Sequence, residues 1–408
     1  MKIMYLTAEG FDSPNPNNQL AMTMIDDFLT ADIGVYLVQS HKKGIYPDIP
    51  DIFLNRDGFT YDIIDRPVID KTNFIRRYLD ELSYLWRAKN VWKRKKADID
   101  IVLLQSNPTS VFYIWLLRKI LRKPIIYSVF DIFPGSAYDI GVIRQRWICR
   151  ILNTIQKLAY RWSDKIVVPG EDMVDNLVSM GVESQKISVI ANWFDDRSVS
   201  EVLPENNRFF KENDIHDDKF IVQFAGTLGY VLDYHTILDV AELLRNEDSI
   251  IFHIIGDGNQ KEVIYQEIAQ RQLSNIKTYP WQRVDIIQDV YSGCDACLIP
   301  LKDGVIGTGF PSKAALLMAC HRAVIVSALE NTKYFKMIQD NDIGIAVPSG
   351  HPEKLADAIR YLRDHPQRIL EIEDNAQAFS KKYYSRSYNT AKFISLFHEL
   401  EGRRDDHV

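Results

Sequence analysis

Short apolar runs alternate with longer amphipathic stretches along almost the whole chain, and glycines cluster where the apolar runs end. Near-continuous Val, Ile and Leu runs are typical of parallel strands buried on both faces, and the helical period between them indicates βαβ units. The pattern therefore predicts an α/β protein built from parallel sheets. Strands are predicted over residues 2–7, 34–39, 61–64, 101–105, 125–130 and 165–168, and again over 220–225, 250–255, 276–279, 296–301 and 343–347. A further short, β-branched strand is predicted at the end of the stretch 307–326.

This alternation is interrupted by a polar stretch after residue 192, and 408 residues are too many for one ordinary core. We therefore predict two Rossmann-like domains, residues 1–195 and 196–375, with ligands bound beyond the carboxyl ends of the strands. Residues 376–408 show a helical pattern with more aromatic side chains than a free tail carries. This last segment is predicted to pack back on the N-terminal domain.

The composition, with 46% hydrophobic and 25% charged residues, is ordinary for a soluble globular protein. The four cysteines are too few and too scattered for a disulfide framework, which indicates a reducing compartment. Cys294 and Cys297 have CxxC spacing but lie in a run that predicts a buried strand. The nine histidines show no metal-binding spacing, so no metal site is predicted. We expect neither a signal peptide nor a membrane-spanning helix.

Charge is distributed unevenly along the chain. The net charge of −6 and the absence of a nucleic-acid-binding motif argue against nucleic acid as a partner. Residues 73–96, 111–123 and 144–165 nevertheless carry clusters of Arg and Lys with interleaved Trp, Tyr and Phe. Two interpretations remain open for these segments: solvated helix faces, or helices that dock on an anionic membrane surface.

The stretch 307–326 joins a glycine-rich turn, a helix and a strand, and Lys313 lies in the first turn of the helix. Glycines let a backbone approach a ligand closely, and the unpaired N–H groups of a helix start attract anions. Lys313 adds a full positive charge, so this stretch is a candidate phosphate-binding site. The alternative is an ordinary strand–loop–helix turn with a solvated lysine.

Several short segments resemble, in the right order, the retaining glycosyltransferases of family 4, which have the GT-B architecture of two facing Rossmann-like domains. The resemblance covers nearly the whole length and points to the lipopolysaccharide, capsule and exopolysaccharide branch. The matching segments are DIFPGSA at 131–137, SDKIVVP at 163–169, KISVIANW at 186–193, FAGTLG at 224–229, IGDG at 255–258, CDACLIPL at 294–301, and PSK with MAC at 311–313 and 318–320.

This resemblance implies transfer of a sugar from a nucleotide diphosphate with retained anomeric configuration and without an obligatory metal or other cofactor. The donor, expected to be UDP-linked, would bind the C-terminal domain. The acceptor, expected to be a polyprenyl-diphosphate-linked sugar, would bind the N-terminal domain. The protein would then be cytoplasmic and held at the inner face of the plasma membrane by its basic N-terminal helices.

The strand-end positions and the resemblance together define a set of expected site residues. Lys313 and Asp131 are the expected catalytic residues, and Asn17, Asn18 and Phe130 are expected in the acceptor cleft. The donor is expected to contact Gly226, Thr227, Leu228, Gly256, Asp257, Gly258, Trp281, Thr308, Gly309, Phe310, Pro311, Ser312 and Glu330.

The chain also departs from the family pattern. The two glutamates of the E-x7-E motif are replaced by Thr308 and Leu316, which makes Glu330 the candidate for the ribose contact. The Arg and Lys that usually follow the first strand of the C-terminal domain are absent, so Lys302 would assist Lys313. Phe130 replaces a histidine that contacts the donor's 6-hydroxyl in many members, which favours a donor sugar without that hydroxyl.

Two other functional classes stay open at this point. The missing glutamates are compatible with a non-catalytic protein of the same fold that binds a partner transferase or a lipid-linked sugar. A nucleotide-sugar epimerase would use the same fold without an acceptor and without membrane affinity. Transfer to a lipid-linked saccharide in bacterial surface polysaccharide synthesis is the interpretation that the motifs favour.

Overall fold

The computed structural model describes residues 1–12, 16–41, 47–66, 74–139, 141, 143–216 and 218–405. The chain divides into two compact units. Unit 1 comprises Met1–Asn192, Thr308–Phe310 and Arg386–Val408, and unit 2 comprises Trp193–Gly307 and Pro311–Ser385. The division between the first two segments therefore follows Asn192, where the polar stretch begins, and the C-terminal return to unit 1 begins at Arg386.

Unit 1 is organised around one parallel sheet. Its strands are β1 (Lys2–Leu6), β2 (Gly34–His41), β3 (Phe59–Asp65), β4 (Ile101–Gln105), β5 (Ile125–Ser128), β6 (Lys165–Val168) and β7 (Ile187–Val189). Their order is β3-β2-β1-β4-β5-β6-β7, so the winding reverses between β1 and β4. All six strands predicted for this part are present. β7 was not predicted, because its three residues are only partly buried and give no continuous apolar run.

Helices of unit 1 connect these strands. They are α1 (Pro16–Thr30), α2 (Phe74–Lys95), α3 (Ser110–Ile120), α4 (Gly135–Asp139), α5 (Arg146–Trp162) and α6 (Glu171–Ser179). Their inner faces and the central strands form one hydrophobic cluster, which includes the fully buried Trp92 and Tyr113. The predicted helical segments between the strands are thus confirmed.

Unit 2 has a smaller parallel sheet. Its strands are β8 (Phe220–Ala225), β9 (Ile250–Ile255), β10 (Ile276–Tyr279), β11 (Ala296–Pro300), β12 (Ala323–Ala328) and β13 (Ile345–Pro348). Their order is β10-β9-β8-β11-β12-β13, with the reversal between β8 and β11. Its helices are α7 (Arg208–Glu212), α8 (Tyr234–Leu243), α9 (Lys261–Gln270), α10 (Ile287–Ser292), α11 (Val305–Thr308), α12 (Lys313–Ala319), α13 (Lys333–Asp340), α14 (Pro352–Asp364) and α15 (Pro366–Tyr383).

The last helix, α16 (Arg386–Asp405), belongs to unit 1 and packs against α1. Phe397 is fully buried, and its ring centroid lies 4.9 Å from that of Phe28 in an edge-to-face arrangement. Arg386 forms buried ion pairs with Asp26 and Asp27 at the start of the same contact. From Arg386 onward the C-terminal segment therefore serves the core of unit 1, whereas residues 376–385 belong to unit 2.

Cys294 and Cys297 are buried, and both thiols are free. A hydrogen bond to Cys297, together with burial, raises the pKa of the Cys294 thiol well above its usual value. A thiol held in its neutral form is a poor nucleophile. Both cysteines are thus buried as predicted, although only Cys297 lies in a strand. Across the described ranges, no helix combines the length and apolar character needed to cross a bilayer.

Candidate functional site

The carboxyl edge of the unit 2 sheet brings together the glycine turns that follow β8 and β9. In doubly wound sheets ligands bind at this edge, where the strand order reverses. Here the reversal lies between β8 and β11, and Gly226 directly follows β8. Gly226 therefore lies at the position where the topology favours a ligand.

Two turns at this edge are locked together by backbone hydrogen bonds. Gly226 N donates to Ile255 O at 2.8 Å, and Leu228 N donates to Asp257 O at 2.8 Å. Gly256 has φ +151°, and a Cβ there would lie 1.9 Å from Gly226 O. Only glycine fits this close approach between the two turns. The two turns thus form one rigid rim, and a ligand or its phosphate group could lie along this rim.

Lys313 places its ammonium group against this rim. Its Nζ lies 4.1 Å from the ring centroid of Phe224 on β8. A Cβ added to Gly226 would lie only 2.1 Å from the same Nζ, so the missing side chain at Gly226 makes room for the lysine. The side chain is partly buried. Burial lowers the pKa of Lys313 to about 8, and the neighbouring Cys297 opposes this shift.

No carboxylate in the described part of the chain forms an ion pair with Lys313, and its contact with the Phe224 ring is a cation–π interaction. A cation without a negative partner is costly in a packed environment, and an anionic ligand removes that cost. The helix that starts at Lys313, α12, has only seven residues. Its dipole therefore adds less to anion binding than the sequence suggested, and the lysine charge is the main contribution.

The other expected donor residues of unit 2 differ in accessibility. Thr227, Asp257, Trp281 and Glu330 are exposed at strand ends, and the indole of Trp281 is 52% exposed. Leu228 is fully buried, and its backbone N–H and C=O bond to Asp257 and Gln260. Its part is therefore to shape the turn. The remaining residues are Gly258, Pro311 and Ser312, all partly buried, of which the latter two immediately precede Lys313.

Thr308, Gly309 and Phe310 belong to unit 1 in the structure, although the sequence grouped them with the donor side. Thr308 Oγ1 donates to Asp139 Oδ2 at 2.8 Å, and Ile132 N donates to Thr308 O at 2.7 Å. The Phe310 ring packs against the hydrophobic cluster of unit 1 beside Gly170. Local sequence could not show this, because the partners lie more than a hundred residues earlier in the chain.

A second cleft lies in unit 1, at the reversal between β1 and β4. It has a volume of about 230 Å³. Its walls come from the segments that follow β1, β4 and β5, as expected for a ligand site in such a sheet. It is lined by Thr7, Ala8, Glu9, Asn17, Glu81, Gln105, Ser106, Asn107, Pro108, Tyr127, Phe130, Asp131, Phe133 and Ser136.

The lining of this cleft combines carboxylates, amides and aromatic rings. Asp131 reaches solvent, but the surrounding protein raises the pKa of its carboxyl through partial desolvation. The side-chain nitrogen of Asn107 is buried without a hydrogen-bond partner among the described residues, while its oxygen accepts from Thr109. Asn17 and Phe130 line the same cleft. The expected Asn18 is nearby in sequence, and its Nδ2 donates to Gly10 O at 3.3 Å.

A buried ion cluster supports the floor of the cleft. Arg66 Nη1 donates to Ala8 O at 2.7 Å, and its other nitrogens bind the carboxylates of Asp80 and Glu81. Tyr113 donates its hydroxyl hydrogen to Glu81 at 3.1 Å. Burial opposes the charge of Arg66, but the two carboxylates raise its pKa above the usual value. This pairing holds the strand end at Ala8 in place.

Asp12, His41 and Asp48 form a separate group whose ligand atoms lie within 4.8 Å of one another. The hydrogen bond to Asp48 is the main cause that raises the pKa of His41. His41 and Asp48 form a hydrogen-bonded pair at the end of β2. We assign no metal to it.

Glu9, Glu81 and Asn107 line the cleft but were missed in the sequence. Glu9 and Asn107 follow strands β1 and β4 closely, so the strand-end rule could have found them. Glu81 carried no such signal, because it is one of two acids within a strongly basic helix. Only its buried partner, Arg66, explains why it turns inward.

Two family descriptions match the chain and together cover most of it. Residues 60–193 match a "Glycosyl transferase 4-like domain", and residues 205–381 match "Glycosyl transferases group 1". The first lies in unit 1 except for its last residue, Trp193, and contains Asp131. The second lies largely within unit 2 and contains Gly226 and Lys313.

Among curated relatives, the chain is similar to the probable glycosyltransferase WbjE of Pseudomonas aeruginosa. The two are 25% identical over 296 residues, which covers 71% of this chain and 72% of WbjE. It is also similar to the putative colanic acid biosynthesis glycosyl transferase WcaI of Escherichia coli K12, with 22% identity over 53% of this chain and 56% of WcaI.

Among solved structures, HepE of Anabaena in complex with UDP superimposes with a TM-score of 0.72 and 14% sequence identity. The alignment covers 98% of this chain and 100% of HepE. At this level of identity the likeness shows the fold alone. Together with the two parallel sheets, it establishes the GT-B fold that the motifs predicted.

Proposed function

Because the chain belongs to the family 4 glycosyltransferases of GT-B fold, we propose that it transfers a sugar, with retention, from a UDP-linked donor to a lipid-linked saccharide acceptor in bacterial surface polysaccharide synthesis. The glycosyltransferase activity itself follows from the family. UDP as the nucleotide is supported by HepE, which was solved in complex with UDP, and the polysaccharide context by the relative named for colanic acid biosynthesis.

The observation that carries this proposal is the ammonium group of Lys313 at the β8/β11 reversal. As the bond between the sugar and the diphosphate breaks, negative charge grows on the leaving phosphate oxygen. A fixed positive charge aimed at that oxygen stabilises the transition state, and losing one such group typically costs about 100- to 1,000-fold in turnover. The rigid glycine rim of Gly226 and Gly256 holds the space beside the lysine open.

The cleft of unit 1 is proposed to hold the acceptor. Sugar hydroxyls donate hydrogen bonds to carboxylates, and sugar rings stack on aromatic side chains, and the cleft offers both through Glu9, Asp131, Phe130 and Phe133. We assign Asp131 to bind the attacking hydroxyl. Its raised pKa makes the carboxylate a better proton acceptor than an ordinary aspartate.

Transfer is proposed to proceed without a resident metal or other cofactor. Lys313 would supply the positive charge that a divalent cation supplies in metal-dependent transferases, with the partly buried Lys302 beyond β11 as a second cation. Glu330, exposed after β12, stays the candidate for the ribose. Phe130 stays the reason to expect a donor sugar without a 6-hydroxyl.

The test uses the purified full chain with UDP-, GDP- and dTDP-sugars, including 6-deoxy sugars, and measures thermal stabilisation and slow release of nucleotide by hydrolysis. We expect UDP compounds to stabilise the protein, because a ligand of the folded state raises its stability by mass action. Lys313→Ala should reduce nucleotide release about 100-fold or more with little loss of fold. Lys354→Ala, which changes an exposed lysine on α14, is the matched control.

A non-catalytic binding protein is the second candidate, because neither position of the glutamate pair carries an acid. Thr308 is engaged with Asp139, and Leu316 has no polar group. That candidate gains support if nucleotides bind but none is ever turned over. If no nucleotide binds, or if Lys313→Ala releases nucleotide as fast as the parent protein, the proposed role of the lysine is wrong.

A further inference from the structure

The cleft of unit 1 has a charge that bears on which saccharide it can bind. Three carboxylates line this cavity, those of Glu9, Glu81 and Asp131. Among the described residues that line it there is no lysine, arginine or histidine. The rest of the lining consists of uncharged polar, aromatic and small apolar side chains, so the carboxylates decide the sign of the charge that a ligand meets. A cleft lined by charges of one sign attracts ligands of the opposite sign and repels those of the same sign.

Arg66 is the cation that approaches the floor of this cleft, but its guanidinium is already engaged. The side chain is only 1% exposed. Its Nη1 donates to Ala8 O at 2.7 Å, its Nε donates to Asp80 Oδ2 at 2.8 Å, and its Nη2 donates to Glu81 Oε1 at 3.0 Å. One positive charge faces two carboxylates here, so the group keeps a net negative charge. Arg66 therefore does not offer its charge to an anionic ligand.

Glu9 follows β1 and lies next to the pair formed by Tyr5 and Gln105. Tyr5 donates its hydroxyl hydrogen to Gln105 Oε1 at 3.1 Å. Burial is the main cause that raises the pKa of Tyr5, and the negative charge of Glu9 adds to this shift. The carboxylate of Glu9 thus acts on the region around Gln105, which lines the cleft. Glu9 is partly buried, and a charge in such a position is screened less by salt than one in open solvent.

Asp131 is a second carboxylate whose surroundings favour a positive ligand. Desolvation raises the pKa of its carboxyl, and no cation in the described ranges offsets this shift. A positive charge nearby stabilises a carboxylate in such surroundings, and a further negative charge destabilises it. A ligand that brings an anion into the cleft would therefore meet repulsion from Asp131 as well as from Glu9.

The size of the cleft limits how much of a ligand it can hold. Its volume of about 230 Å³ is below the range of about 300–1,000 Å³ that is typical of pockets for drug-sized ligands. The space suits one monosaccharide, and Phe130 and Phe133 supply aromatic surface for its ring. The diphosphate of a lipid carrier would lie outside the cleft, because the carboxylates repel it.

We propose that the cleft of unit 1 takes a terminal monosaccharide that carries no acidic group, and that Glu9 favours a sugar with a free, protonated amine. This proposal rests on the proposed function, because it concerns the acceptor of that reaction. Uronic acids and sugar phosphates are the classes that the cleft rejects. Specificity of this kind comes from repulsion of the wrong ligand as much as from attraction of the right one.

The experiment compares methyl glycosides that share one pyranose ring: the neutral methyl glucoside, the amine-bearing methyl glucosaminide and the acidic methyl glucuronide. The affinity of the full chain for each is measured by NMR titration without a donor, at low and high salt. We expect the glucosaminide to bind about threefold or more tighter than the glucoside, and the glucuronide to bind more weakly than both. High salt should reduce these differences, because salt screens charge and leaves shape unchanged.

Variants of Glu9 assign the preference to this carboxylate. Glu9→Gln keeps the size of the side chain and removes its charge, so the advantage of the glucosaminide over the glucoside should disappear. Glu9→Lys reverses the charge and should make the glucuronide bind tighter than the glucosaminide. Glu183→Gln and Glu183→Lys are the matched controls, because Glu183 is exposed in the turn before β7, at the opposite edge of the same sheet. Circular dichroism and melting temperature establish that each variant is folded.

Several results would overturn the proposal. They are equal affinity of the parent protein for the three glycosides, tightest binding of the glucuronide, or no binding of any of them. A preference for the glucosaminide that both Glu9 variants leave unchanged would also contradict it, as would a preference that the Glu183 variants lower equally.

Release of nucleotide from a UDP-sugar separates this proposal from the proposed function, because it reads the donor side without any glycoside. If the parent protein prefers the glucosaminide but never releases nucleotide, the proposed transfer fails while the saccharide preference of the cleft stands. If nucleotide release is normal and the glucuronide binds as tightly as the glucosaminide, the proposal for the cleft fails alone.

Discussion

At the scale of single residues, the most informative group is the ammonium of Lys313. It is a partly buried cation without a carboxylate partner in the described ranges, beside an aromatic ring and a glycine that leaves room for it. Burial without compensation favours the neutral amine and lowers the pKa to about 8. A structural lysine would gain stability from a partner, whereas a ligand-binding lysine keeps its position free for an incoming anion.

The prediction at this scale concerns the pH dependence of donor capture. The amine of Lys313 is charged below its pKa of about 8 and neutral above it, so donor capture by the free protein should decline as pH rises through about 8. Because kcat/KM reports the pKa values of the free enzyme, its profile should show this alkaline limb. A bound diphosphate stabilises the ammonium, so the limb in kcat should lie at higher pH.

The control for this prediction is Lys313→Ala, whose residual kcat/KM should lack the limb near pH 8. Initial rates of nucleotide release over a pH series provide the measurement. If the variant keeps the same alkaline limb as the parent protein, another group titrates there, and the assignment to Lys313 is wrong.

At the scale of elements, the two glycine turns act as one structure. The turns after β8 and β9 exchange hydrogen bonds from Gly226 to Ile255 and from Leu228 to Asp257. Their contact is so close that the backbone of Gly226 fills the space that a side chain at Gly256 would need. The two glycines therefore have different roles. The absence of a side chain at Gly256 lets the two turns pack together, and its absence at Gly226 leaves room for the Lys313 side chain.

Substitution of these glycines by alanine should separate the two roles. In Gly226→Ala the new Cβ would lie 2.1 Å from Lys313 Nζ, so the flexible lysine must move and turnover should fall about tenfold or more. The φ of +147° at Gly226 adds a loss of stability of about 1–3 kcal/mol. In Gly256→Ala the obstacle is backbone at 1.9 Å, so the loss should be mainly in stability, about 1–3 kcal/mol.

Urea unfolding and nucleotide release, measured on the same preparations, test this pair of variants. Gly402→Ala in α16 is the control, since a Cβ there meets nothing within 4 Å. Equal ratios of activity loss to stability loss in Gly226→Ala and Gly256→Ala would show that the lysine has no special relation to Gly226.

At the scale of the whole molecule, the chain leaves unit 1 after Asn192, contributes the short segment Thr308–Phe310 to it, and returns to it at Arg386. Buried contacts, rather than chain connectivity, hold helix α16 against the rest of unit 1. Phe397 packs edge-to-face on Phe28, and Arg386 pairs with Asp26 and Asp27. Unit 1 is therefore complete only when the last helix of the chain has been made.

Phe397→Ala should accordingly destabilise unit 1. Removing a fully buried phenylalanine typically costs about 3–5 kcal/mol, because a cavity remains where the ring was. Amide hydrogen exchange should accelerate in β1 and β2, while β8 and β9 in unit 2 keep their protection. Leu370→Ala, at a half-exposed position of α15, should leave both units unchanged. Uniform acceleration over both sheets would contradict this local effect.

Much of the architecture was predictable, because the signals are local. A run such as 250–255 is apolar at nearly every position, since both faces of its strand are covered, and this leaves a clear mark in the sequence. The position of Lys313 in the first turn of a helix after a glycine turn was equally readable. The family resemblance then identified the GT-B fold from motifs that cluster at strand ends.

What only the tertiary structure decided depends on partners far away in the chain. Asp80 and Glu81 are directed inward because both form buried ion pairs with Arg66. As a result, the charge on the outer surface of α2 is purely positive. Thr308 donates to Asp139 in unit 1, through a contact that no local pattern encodes. The apolar and helical periods of the sequence alone determined the elements and their order, because periodicity follows from burial. Long-range packing decided whether each of these side chains points into the protein or towards solvent, because the energy of a buried charge depends on the partner it meets.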